Sequence, residues 1–312
     1  MNGLTLRAAL LLSACTIVLA ACTSNNGAPP PPVNVHQRLF VANFAAGGAS
    51  SSLVAYVFPL TAAIAPNSTL PSSRGPNGAT GIAFDFADDL YIANASNNTI
   101  VAYIPFIGNS SSPSLTLTNG ISQPQDMTFD NASNLYVANL TGGAIGNVTV
   151  YSPPFVNSSF PLFAISNGIN GPTGVVSDGV GDVWVTNRAG HNVTAYGLPA
   201  TAASVPFATV SSGLTGPVAS AFDLASDLYV VDNTANAIVV YKPPITTAST
   251  PSFSITNGIS APRYASFDQG GFLYVSNATN VTIYQPPFSA ASAPFLTITN
   301  GLSTPVGVAV GF

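Results

Sequence analysis

Leu90-Tyr91-Ile92-Ala93-Asn94 and, 45 residues on, Leu135-Tyr136-Val137-Ala138-Asn139 are the stretches that decide the fold. The pattern returns at Leu39-Phe40-Val41-Ala42-Asn43, Val183-Trp184-Val185-Thr186-Asn187, Leu228-Tyr229-Val230-Val231-Asp232 and Leu273-Tyr274-Val275-Ser276-Asn277. That makes six copies, with start-to-start spacings of 51, 45, 48, 45 and 45 residues. A fixed period of this size marks one supersecondary unit repeated along the chain. Around each copy lie three further segments. Before it comes a strand running into Asp (81–85, 126–130, 174–178, 219–223, 264–268), and after it one ending in Tyr (53–56, 100–103, 148–151, 193–196, 238–241, 281–284). Last comes a looser strand, as at 114–117, 163–165, 252–255 and 295–298. Four short strands that are apolar on both faces predict a sheet held between two like sheets.

The copies begin on a second strand, 39–43, and end on a first strand, 307–311. Pairing those two would complete a sixth unit and remove the exposed edges that an open array leaves. A linear solenoid would want polar caps, and the sequence shows none. The fold class expected is therefore all-β: a six-bladed β-propeller of four-stranded antiparallel blades, closed by pairing of the C-terminal strand with the first blade.

The unit P-x-G-[IV]-A-F-D-x-x-x-[DN]-L-Y-V-A-N-x-x-x-N-x-[IV]-x-V-Y resembles the NHL-type repeat over residues 38–312. The resemblance implies a six-bladed propeller of the group that also holds TolB-like and lactonase-like propellers. That group hosts scaffolds, binders, hydrolases and lyases, so the resemblance implies no single activity.

Residues 1–21 read as a lipoprotein signal peptide, with Arg7 ahead of an apolar core at 8–19 that is too short to span a bilayer comfortably. Leu19-Ala20-Ala21-Cys22 matches the lipobox, so Cys22 is the expected lipidation site; Cys15 follows a core of only five residues, 8–12. A plain signal cut near Ala21 with no lipid is the alternative. With both cysteines here, the mature chain has no disulfide. Residues 22–37 form a proline-rich tether, and 38–312 the propeller. The expected location is the bacterial cell envelope, with lipid-anchored outer membrane as the default and no membrane contact beyond the lipid.

Without Arg7 the chain carries five basic and eleven acidic residues, which disfavours nucleic acid as a partner. Only 5% of residues are charged, so Asn, Ser and Thr supply most of the polarity, which suits hydrogen bonding to a peptide, glycan or envelope protein by a monomer. There is no Glu, no G-x-S-x-G elbow and no phosphate-cradling Gly loop, and of two His residues His36 lies in the tether. A zinc site cannot be assembled from these groups.

In an up-down unit, the loop after the second strand shares one face, here called the top, with the links between blades. The turns at Asp85, Asp130, Asp178, Asp223 and Asp268 fall on the opposite, turn face and read as backbone-bonding turn formers. On the top stands a ring of Asn43, Asn94, Asn139, Asn187, Asp232 and Asn277, whose oxygens could hold Ca²⁺. Loop capping, needed by every blade, is the simpler reading. The aromatic set Phe40, Tyr91, Tyr136, Trp184, Tyr229 and Tyr274 reads as packing between blades.

Positions where one blade departs from its siblings mark the candidate ligand site. Asp126 and Tyr264 stand where other blades have Gly81, Gly174, Ala219 and Gly307; Arg263 stands where they have Thr80, Gln125, Thr173, Val218 and Val306. Arg188 and His191 share a loop, and Asp232 replaces Asn. Asp126 and Arg263 are expected to face each other across the channel, and longer loops after Asn43 and Asn139 would make the rim uneven. The leading expectation is a non-enzymatic binding or scaffold module working through its top face, with no cofactor. The first alternative is a Ca²⁺-dependent lyase or lactonase with His191 as base. The second is a structural surface repeat without a specific ligand. Against the enzyme, lactonases of related shape lean on a Glu ligand and propeller lyases on paired His, and neither has a match here.

Overall fold

The computed structural model describes residues 37–45, 50–105, 107–140 and 145–311. The leader, Cys22 and the tether up to residue 36 lie outside these, as do 46–49 and 141–144 within the two longer loops.

The repeat folds as six separate four-stranded antiparallel sheets. From the inner to the outer strand, blade 1 is Pro305–Gly311, Arg38–Asn43, Ser52–Val57 and Ser68–Pro71. Blade 2 is Ala79–Phe84, Leu90–Asn94, Thr99–Tyr103 and Leu115–Leu117, and blade 3 is Pro124–Phe129, Leu135–Asn139, Asn147–Tyr151 and Phe163–Ile165. Blade 4 is Pro172–Ser177, Asp182–Asn187, Asn192–Gly197 and Ala208–Val210. Blade 5 is Pro217–Phe222, Leu228–Asp232, Ala237–Tyr241 and Phe253–Ile255; blade 6 is Tyr264–Phe267, Leu273–Ser276, Val281–Tyr284 and Leu296–Ile298. Each first strand touches the first strands of both neighbouring blades, all the way round, so the six enclose an axis. The ring closes as the sequence predicts: Leu39 pairs with Val310 and Val41 with Val308.

The packing follows from the five-residue pattern. Every residue of Leu90–Asn94, Leu135–Asn139 and Leu228–Asp232 is buried, because both faces of a second strand meet a blade. The core is divided into six apolar clusters, most of them drawn from adjacent blades. The aromatic set bridges blades edge to face: Phe40 on Phe84 at 5.5 Å, Tyr91 on Phe129 at 4.9 Å, Trp184 on Phe222 at 5.5 Å and Tyr229 on Phe267 at 4.9 Å.

The polar ends of that set serve the turns. Tyr136, Tyr229 and Tyr274 donate to Asp130, Asp223 and Asp268, and the Trp184 indole donates to Asp178. In the same turns one Asp oxygen accepts backbone N–H groups, as Asp85 does from Ala87 and Asp89. The third-strand tyrosines have a parallel duty that the repeat alone does not reveal. Tyr103, Tyr151, Tyr196 and Tyr284 donate at 2.6–2.7 Å to backbone carbonyls in the link from the preceding blade. The outermost strands are three or four residues long, so little sheet edge is left unpaired.

Candidate functional site

The ring of amides is wired inward. Each Oδ1 accepts a backbone N–H from the link entering its own blade: Asn94 from Asn77 at 2.8 Å, Asn139 from Ser122 at 2.9 Å, Asn187 from Asn170 at 3.0 Å, Asn277 from Ser260 at 3.0 Å and Asn43 from Ser303 at 3.2 Å. Each Nδ2 donates to the residue opposite it at the start of the third strand, namely Thr99, Asn147, Asn192 or Ser52, or, in blade 6, Asn280 just ahead of that strand. The oxygens that would be offered to Ca²⁺ are thus already accepting from the backbone. Among the described residues no three His, Cys, Asp or Glu side chains lie together as a metal cluster.

Asp232 departs from this pattern for a reason visible in its neighbours. Its pairing partner is Ala237, which has no acceptor for an amide N–H. A carboxylate fits instead, taking backbone N–H groups from Thr215, Gly216 and Ala235 and the Thr215 hydroxyl. Burial pushes its carboxyl up, but these donors outweigh burial and hold it below the ordinary carboxylate value. Thr215 and Ala237 escaped the sequence reading. The signal was present: blade 5 alone lacks a hydroxyl or amide at the paired third-strand place.

Asp126 and Tyr264 meet on the axis. In the first strands of blades 3, 4 and 5 the pairing register shifts between the opening Pro and the axial residue, as between Pro124 and Asp126; in blade 2 it shifts between Ala79 and Ile82 and in blade 1 between Pro305 and Val308. Around the axis stand Gly81, Asp126, Gly174, Ala219, Tyr264 and Gly307, and the strands here approach almost backbone to backbone. A Cβ on Gly81 would lie 2.8 Å from Asp126 Cα and 2.9 Å from the Gln125 carbonyl oxygen; one on Gly174 would lie 2.9 Å from Ala219 Cα. The two large side chains fill what the four small ones leave. Tyr264 Oη donates to Asp126 Oδ1 at 2.7 Å, Met127 N donates to the same oxygen at 2.9 Å, and Val175 N donates to Oδ2 at 3.0 Å. Burial pushes the Asp126 carboxyl up to about 7 against these three donors, and burial beside Asp126 holds the Tyr264 phenol far above its ordinary value. Arg263 does not face Asp126. It stands exposed beside the axial position, and it is Tyr264 that crosses to blade 3.

Arg188 and His191 are exposed in the top loop of blade 4. His191 Nδ1 lies 2.6 Å from the Thr215 carbonyl oxygen. A carbonyl only accepts, so Nδ1 donates this bond. Asn98 and Asn236 hold the same left-handed turn position in blades 2 and 5, and they too bond the next link, at Gln123 and Ala261. The top face of blades 4 to 6 is therefore one stitched arc: His191 to Thr215, Thr215 to Asp232, and Asn233 Nδ2 to the Pro262 carbonyl beside Arg263. Neither the Arg188 nor the Arg263 guanidinium has a polar partner among the described residues.

No family model matches the chain, and no curated protein matches it in sequence. Solved structures do share its shape. The periplasmic gluconolactonase of Pseudomonas aeruginosa is similar at 14% identity over 88% of this chain and 99% of that one, with a TM-score of 0.63. A protein of unknown function from Bacteroides caccae is similar at 12% identity over 88% and 98%, with a TM-score of 0.64. A functionally unknown protein from Desulfotomaculum acetoxidans is similar at 14% identity over 85% and 81%, with a TM-score of 0.57. At such identities the likeness speaks to the fold.

Proposed function

We propose that this propeller is a binding module, held at the cell envelope through an acylated Cys22, whose top face takes a peptide, glycan or envelope protein. One contrast carries the reading. The exceptional carboxylates, Asp126 and Asp232, are buried and hydrogen-bonded, whereas the Arg188 and Arg263 guanidinium groups are exposed and have no polar partner among the described residues. Such a face suits contact with a ligand better than proton transfer to one. Glycan and peptide arrays probed with the mature protein test this. The expected result is a ligand whose binding drops on Arg188→Ala or Arg263→Ala; binding untouched by both substitutions would move the site off this face.

A lactonase- or lyase-type reading rests on His191, whose ring stands in an exposed loop and is oriented by the Nδ1 bond to the Thr215 carbonyl. One solved propeller of this shape is a gluconolactonase, so aldonolactones are the first substrates to assay, with and without added Ca²⁺. Turnover that survives His191→Asn would remove that base. A melting temperature unchanged by Ca²⁺ or chelator would speak against a bound cation.

A further inference from the structure

On the turn face, the seam of blades 2 and 3 holds a groove that the repeat does not require. One cleft of about 370 Å³ has Phe86, Phe129, Phe155 and Asp85 in its walls. Across the Phe155 ring lies a second, about 550 Å³, walled by Asp89, Ile104 and Val156 among others. Through Phe155, which lines both, the two clefts make one seam. Its apolar walls are open to solvent: Phe86 is 70% exposed, Ile104 65% and Val156 54%.

Two residues of the blade 2 turn beside this groove depart from most of their counterparts. Phe86 stands where the other turns have Asn131, Gly179, Leu224 and Gln269, and Asp88 stands where they have Ser133, Gly181, Ser226 and Gly271. Of these counterparts Leu224, 81% exposed, is also apolar, and none is aromatic, so the turn does not require a ring. The third carboxylate costs the turn. Burial and then the charges of Asp85 and Asp88 push the Asp89 carboxyl up. Among the described residues the one ion pair lies elsewhere, between Lys242 and Asp227.

We propose that this seam docks an extended peptide segment presenting a lysine or arginine next to apolar side chains. The cationic head meets Asp85, Asp88 and Asp89 and the faces of the phenyl rings, where the ring quadrupole attracts a cation. Its aliphatic stem and the neighbouring apolar residues cover Phe86, Phe155 and Val156. This site is on the face opposite the one assigned under the proposed function and stands independently of it.

The test is calorimetric titration of the mature protein with acetyl-Phe-Lys-Phe-Lys-Phe-amide and with its glutamate counterpart. The lysine peptide should bind about tenfold or more tightly than the glutamate peptide, and its affinity should fall several-fold between about 20 and about 300 mM salt. Phe86→Ser and Asp88→Asn should each weaken binding by about fivefold or more, while Arg263→Ala leaves it unchanged. Both substituted residues are exposed, and unchanged circular dichroism would show that the fold is intact. No saturable binding, equal binding of the glutamate peptide, or indifference to both substitutions overturns the proposal.

Discussion

Tyr264 of blade 6 reaches across the axis of the ring and donates a 2.7 Å hydrogen bond to Asp126 of blade 3. With Val175 N on the other oxygen, one carboxyl joins blades 3, 4 and 6 at the place where the first strands converge. The cost is a charge taken out of water, and its size depends on pH.

Asp126 has a folded pKa near 7 against 3.8 for the free side chain. Between those values the folded protein holds a proton that the unfolded chain has released, so stability falls as pH rises through that window and levels off above it. Three pKa units set a ceiling of about 4 kcal/mol. Asp89, Asp182 and Asp227 are raised as well and add the same sign. Asp232, held low, loses its contribution only as pH falls below the ordinary carboxylate range. Asp126→Asn isolates the axial share. Asn cannot ionise, but in either orientation its NH₂ meets a backbone donor, Met127 N or Val175 N, so a pH-independent loss is expected beside the change in pH dependence. Denaturant melts at pH 5 and 8 should show a smaller pH difference in this variant than in the parent, and an equal difference would clear Asp126. Tyr264→Phe should cost about 1–3 kcal/mol at pH 8, through the donor lost to a buried carboxylate.

How much of this was legible in the sequence depends on whether a position answers to its own strand or to a neighbour. The second strands, with their Leu-Tyr-Val-Ala-Asn pattern, meet a blade on both sides in every repeat, so composition alone places them. Asp126 and Tyr264 were also readable, because an axial place that is Gly or Ala in four blades exposes any large side chain as an exception. That Tyr264 and not Arg263 makes the crossing was not readable. Those residues are adjacent, strand alternation sends adjacent side chains to opposite sides, and nothing in the sequence says which of two neighbours points inward. Asp232 was flagged correctly as different, but its cause sits in Ala237 on another strand and in Thr215 in the link. The turn at 85–89 was read only for its shared Asp, which hid Phe86 and Asp88.

The pairing of ring residue and third-strand residue can be tested as a cycle. Asp232→Asn brings an amide NH₂ among the backbone donors of Thr215, Gly216 and Ala235 and gives it no acceptor at Ala237. A loss of about 2–3 kcal/mol is expected in denaturant melts. Ala237→Asn supplies the oxygen that Asn192 supplies to Asn187 in blade 4. The double variant should therefore recover about 1 kcal/mol or more beyond additivity. Additive losses would mean that Asp232 is held by the link alone.

The last strand carries the closure, and its removal should be out of proportion to its length. Pro305–Gly311 supplies the inner strand of blade 1, touches the first strands of blades 2 and 6, and buries Val308 fully. Without it Arg38–Asn43 becomes an edge, with Leu39 and Val41 left facing solvent on the side the strand had covered. A chain ended at residue 304 should lose the cooperative melt of the parent and expose apolar surface to a dye such as ANS. Because a deletion can fail for trivial reasons, Val308→Ala gives the graded form: about 1–3 kcal/mol lost, with the fold retained. Ring topology predicts that this loss shows in every blade at once, since each first strand leans on two others. Hydrogen exchange should therefore rise in the second strands of all six blades together, and not in blade 1 alone.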